Sequence, residues 1–152
     1  MRSLSGEAKF AAFNALAFKE ICVGMEQSGK TRWLRLPVAS SSLLNLFKSE
    51  RYVATRAGRN AWKRMIQGSS LQRHCNREGI NVKRNDGQLF ARIGFIGNQE
   101  NECNSPDSYI GFGTWRFRFC SRLPVISCGN IATCSPDNGD KSLPATGYIL
   151  IK

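Results

Sequence analysis

Leu89-Phe-Ala-Arg-Ile-Gly-Phe-Ile-Gly97 and Tyr109-Ile-Gly-Phe-Gly-Thr-Trp-Arg-Phe-Arg-Phe119 bracket a polar bridge that carries Cys103. Both runs are short, rich in β-branched and aromatic residues, and punctuated by glycine. That pattern marks strands rather than helices. After Gly113 the order alternates, with Trp115, Phe117 and Phe119 on one face and Arg116 and Arg118 on the other. Asp86-Gly87 suits a tight turn with positive φ, which joins Ile80-Asn-Val82 to Leu89–Ile96 as a hairpin. Arg92 interrupts the second arm. Gly94 and Gly97 predict a bulge there, or a close approach of neighbouring backbone.

Working outward, the chain closes on Gly147-Tyr-Ile-Leu-Ile-Lys152, another strand. Toward the N-terminus, residues 5–20 favour a helix, and Trp33-Leu-Arg-Leu-Pro-Val38 alternates as a short strand ended by Pro37. Ser40–Ser42 offer a cap for a helix from Leu43 to about Glu50. Trp62, Met65 and Ile66 mark a further amphipathic helix within residues 51–67. The predicted class is mainly β: a small antiparallel sandwich or irregular barrel with short N-terminal helices. Residues 1–67 are read as a basic, partly helical portion and residues 68–152 as a cysteine-containing β-rich domain.

Charge divides the chain the same way. Of 152 residues, the first 85 hold sixteen Lys/Arg against five Asp/Glu, which carries the whole net charge of +11. The remainder is neutral. A basic half implies an anionic partner: an acidic polymer or carbohydrate, or nucleic acid. No apolar run reaches the length of a membrane span. The N-terminal apolar stretch lacks a clean cleavage site and reads as an amphipathic helix rather than a leader.

Six cysteines, Cys22, Cys75, Cys103, Cys120, Cys128 and Cys134, show no C-x-x-C pair, and fifteen complete pairings are open. A disulfide framework fits better than zinc, since His74 is the single histidine and reads as a structural neighbour of a disulfide cysteine. Disulfides favour an extracellular or cell-surface location. The cytoplasm is the alternative.

Three segments carry candidate chemistry. Gly24-Met-Glu-Gln-Ser-Gly29-Lys30-Thr31 spells the phosphate-binding G-x-x-x-x-G-K-[ST] pattern, but Pro37 stops the helix that should follow, and no partner aspartate ends a strand. The loop 98–107 is rich in oxygen ligands. Asn101, Asn104 and Asp107, with the rings of Tyr109 and Trp115, form a candidate carbohydrate site. Glu100, Glu102 and Asp107, joined by Asp137 and Asp140, form a candidate Ca2+ site. Cys134-Ser-Pro-Asp137 echoes Cys103-Asn-Ser-Pro-Asp107, so the two turns are expected to lie near one another. Arg51, Arg56, Arg59, Lys63 and Arg64 form a candidate anion-binding surface, with Arg56, Arg59 and Lys63 on one face.

No hydrolytic triad, acid–base pair or metal motif stands out, so no catalytic residue is assigned and a non-enzymatic role is expected. The favoured reading is an extracellular-type, lectin-like recognition module, with calcium as an optional cofactor. A basic nucleic-acid-binding protein is the alternative, and nucleotide binding through residues 24–31 comes third.

Overall fold

The structure is a computed structural model and describes residues 9–114 and 126–152. Among these residues lie three short helices, α1 (Ala12–Ala15), α2 (Leu43–Lys48) and α3 (Arg59–Lys63). The strands are β1 (Ile21–Gln27), β2 (Lys30–Leu36), β3 (Val53–Ala54), β4 (His74–Lys83), β5 (Leu89–Asn98), β6 (Ser108–Thr114), β7 (Cys128–Ala132), β8 (Lys141–Pro144) and β9 (Thr146–Ile151). They build two antiparallel sheets, a three-stranded one in the order β2-β1-β9 and a six-stranded one in the order β3-β4-β5-β6-β7-β8. The two sheets do not close into a barrel.

One core joins them. Ile21, Val23, Met25 and Leu36 from the small sheet pack in the same cluster as Ile80, Ile93, Phe95, Ile110 and Phe112 from the large one. Leu43 and Leu46 of α2 and Trp62 of α3 belong to it too. A second cluster contains Val82, Phe90, Ala91, Ile96, Tyr109 and Ile131. With both faces of β5 and β6 buried, their sequences run continuously apolar instead of alternating. The last strand, β9, pairs with the first, β1, from Ile21↔Ile151 to Glu26↔Thr146. The basic portion and the end of the chain therefore share a sheet.

The expected hairpin is present, with Val82↔Ala91 and Lys83↔Leu89 in register around a bulge. Its glycines serve close approach. A Cβ on Gly94 would stand 2.7 Å from the Ile110 carbonyl oxygen, and one on Gly97 2.9 Å from that of Gln72. Arg92, the polar interruption, reaches out of the sheet to the Phe47 carbonyl at the end of α2 (3.0 Å) and to Asn81 Oδ1 (3.1 Å). A guanidinium there complements the negative end of the helix. Ser42 caps α2 as expected, its hydroxyl accepting from the Asn45 N–H at 3.0 Å.

Two expectations change. The described part of the 5–20 helix is only Ala12–Ala15, because Leu16 turns extended and Phe18 bridges to Ser40, which buries its ring. Tertiary burial overrides propensity there. The helix in 51–67 shrinks to five residues, since Val53–Ala54 pairs with β4 and Gly58, at φ 87°, begins the helix late. Arg56 therefore precedes α3. Cys75-Asn76 forms a bulge within β4, both residues having positive φ. The strand expected beyond Thr114, with Trp115, lies outside the described residues.

Candidate functional site

The basic residues gather where α3 meets the free edge of the small sheet. Glu78 makes this possible. Its carboxylate is buried and accepts from Thr55 Oγ1 (2.7 Å), the Ala57 and Gly58 N–H groups (3.1 and 2.7 Å) and Trp62 Nε1 (2.9 Å). Those bonds fix the N-terminus of α3 and seat Trp62 in the core, so the helix presents Lys63 and Arg64 outward.

Asp137 holds the other side. It accepts from Lys63 Nζ (2.5 Å), Arg59 (2.9 Å) and the Leu71 N–H (3.0 Å). Burial raises its pKa, but the Lys63, Leu71 and Arg59 contacts outweigh that and leave it lowered to about 2. Arg59 also donates to the Leu71 and Gln72 carbonyls. Arg59 is thus a fastener between α3 and the 134–138 turn rather than a surface cation.

What remains open is a cleft between α3 and β2. Arg32, Asn60, Lys63, Arg64, Gln67 and Asn138 line one part, of about 460 Å³. Arg32 and Arg64 also line its continuation, of about 420 Å³, which is bordered by Trp33, Leu34 and Met65. Among the described residues neither Arg32 nor Arg64 is in an ion pair. The Arg32 guanidinium donates to the Gln67 side-chain oxygen at 3.4 Å. Two guanidiniums facing open space suit sulfate, carboxylate or phosphate groups, while the Lys63 ammonium beside them is paired with Asp137.

Of the expected anion-binding residues, Lys63 and Arg64 line this cleft, Arg59 is spent on Asp137, and Arg51 and Arg56 lie outside it. Arg32 was missed. The alternation Thr31-Arg-Trp-Leu-Arg35 on an edge strand was the signal that could have found it.

The Gly24–Thr31 segment is a hairpin, with Gln27 paired to Lys30 across Ser28-Gly29, whose φ values are 51° and 73°. Both flanks are strands, and no helix begins at Lys30, so the strand–loop–helix setting of a phosphate-binding loop is not formed.

The loop 98–107 is pinned by the Cys75–Cys103 disulfide, as expected of a disulfide-bearing chain, and Cys134 is disulfide-bonded as well. The echo turns do adjoin, since the Thr133 N–H donates to the Asp107 carbonyl at 3.0 Å. Of their side chains, Asp107 is buried, whereas Asn104 is exposed and Asp137 is engaged by Arg59 and Lys63. Tyr109 is fully buried, its hydroxyl on the Ile126 carbonyl, and Asp107 is 3% exposed. Burial, reinforced by Glu100 and Glu102, raises the Asp107 pKa to about 6. Glu102 folds the loop on itself, accepting from Asn98, the Asn104 N–H and Ser105. That is the self-satisfied turn typical of such sequences. Glu100, Asn101, Asn104 and Asp140 are exposed. Among the described residues, no group of three or more His, Cys, Asp or Glu is placed to hold a metal ion. No described helix is long and apolar enough to cross a membrane.

No protein-family model matches the chain, and no match was found among curated proteins or solved structures.

Proposed function

We propose that this protein is an extracellular-type recognition module that binds an acidic polysaccharide in the cleft between α3 and β2. The observation that carries the reading is Arg32 and Arg64 lining the same open cleft, neither in an ion pair among the described residues. Asn60, Gln67 and Asn138 add amides that hydrogen-bond hydroxyls or sulfate oxygens. The Cys75–Cys103 disulfide supports an oxidising compartment, where acidic glycans are abundant partners. The net charge of +11 adds long-range attraction for any polyanion.

The test is calorimetric titration with a sulfated uronic-acid hexasaccharide at two salt concentrations. Binding that weakens with salt and falls about tenfold or more in Arg32→Glu/Arg64→Glu is expected, the size of a lost charge-assisted contact. Binding unchanged in that variant would sink the proposal.

A further inference from the structure

Beside the cleft, the outer face of the small sheet carries an aromatic shelf. Trp33 is 48% exposed and Tyr148 38% exposed, although both sit on regular strands. Their ring centroids are 6.0 Å apart at an interplanar angle of 39°. Gly24 lies between them in register, opposite Trp33 on one side and Tyr148 on the other. With no side chain there, the indole lies flat on the strand. A Cβ at position 24 would come within 2.6 Å of the ring. The shelf continues into Leu150, which is 54% exposed.

The rim is polar in a particular way. The Tyr148 hydroxyl donates to a Glu26 carboxylate oxygen at 2.6 Å, and Arg35 makes a two-pronged contact with Glu20 at 2.8 and 2.9 Å. Carboxylates beside a flat ring accept hydrogen bonds from hydroxyls. Trp33 borders the cleft together with Arg32 and Arg64, so shelf and cleft meet at the free edge of β2.

We infer that the Trp33–Tyr148 shelf is a second subsite, which stacks a pyranose ring of the same acidic polysaccharide whose charged groups sit at Arg32 and Arg64. This rests on the cleft reading above. Ring stacking supplies apolar contact and orientation, while the cleft supplies charge. Glu26 and Glu20 add hydroxyl-accepting oxygens at the rim of the shelf.

The experiment compares three probes on wild type, Trp33→Ala, Trp33→Phe and Arg32→Ala/Arg64→Ala. The probes are the sulfated hexasaccharide, a polyphosphate of matched charge, and an oligothymidylate. Trp33→Ala is expected to weaken the hexasaccharide about tenfold, with Trp33→Phe intermediate, as for loss of one aromatic contact. The polyphosphate, which has no ring, is expected to be unaffected by Trp33→Ala and weakened by the double arginine variant. Trp33→Ala leaving the hexasaccharide unchanged would overturn the shelf alone. Hexasaccharide binding untouched in the double arginine variant would overturn the cleft reading itself. Oligothymidylate binding tighter than the hexasaccharide and dependent on Trp33 would overturn the sugar assignment in favour of bases.

Discussion

Trp33 lies flat across Gly24, so that a Cβ at position 24 would stand 2.6 to 2.8 Å from three carbons of the indole. The glycine on one strand is thus the floor under the aromatic ring of the next. Gly24→Ala should lift the ring and cost about 1–2 kcal/mol, the range for modest overpacking. Urea unfolding measures the cost, and near-ultraviolet dichroism reports the ring. An unchanged aromatic signal would contradict the packing described.

Glu78 should matter more to stability than any surface carboxylate. Four donors converge on it from the segment that starts α3 and from Trp62. Glu78→Ala strands buried donors and is expected to cost about 2–4 kcal/mol by urea unfolding. A loss below about 1 kcal/mol would mean that α3 is held by something else.

Reducing the Cys75–Cys103 bond removes a cross-link spanning 28 residues. The chain-entropy account gives about 3–4 kcal/mol for a loop of that size. Cys75→Ser/Cys103→Ser should lower the denaturation midpoint accordingly, and loop 98–107 should become more accessible to proteases. Of the two free thiols among the described residues, Cys22 should react first with an alkylating reagent, because burial pushes the Cys128 thiol up to about 12.

Two aspartates set opposite pH trends. Asp107 has a folded pKa of about 6 against its ordinary 3.8, so the folded state favours its protonated form. Stability should rise as pH falls from about 6 to 4 through this group. Asp137 is lowered to about 2 from 3.8, so the stability it confers is present above about pH 4 and lost as pH falls toward 2. Thermal midpoints should therefore peak near pH 4, as far as these two groups decide. Asp107→Asn should flatten the upper limb, and Asp137→Asn the lower. A midpoint rising steadily from pH 4 to 7 in the wild type would contradict the Asp107 assignment.

The large sheet was legible in the sequence because its signals are local. Asp86-Gly87 marks a turn, Gly94 and Gly97 mark backbone contacts, and the runs around Ile93 and Ile110 mark strands. The cap at Ser42 is equally local. The site was legible only in part. Lys63 and Arg64 stood out as charge, but nothing near Arg59 in the chain announces Asp137, 78 residues away. Likewise, Tyr109 looked available for a ligand until the second face of β6 proved to be covered. The shelf was hidden for the same reason, since Trp33 and Tyr148 meet only because the last strand pairs with the first. Long-range pairing, not local pattern, assembles cleft and shelf.

The most direct test of the central claim is a backbone amide NMR titration of the uniformly labelled protein with the sulfated hexasaccharide. Shifts should concentrate at Arg32, Trp33, Arg64 and Gln67 and spread to Gly24 and Tyr148, with residues 98–107 unmoved. Shifts centred on 98–107 with the α3–β2 cleft silent would contradict it.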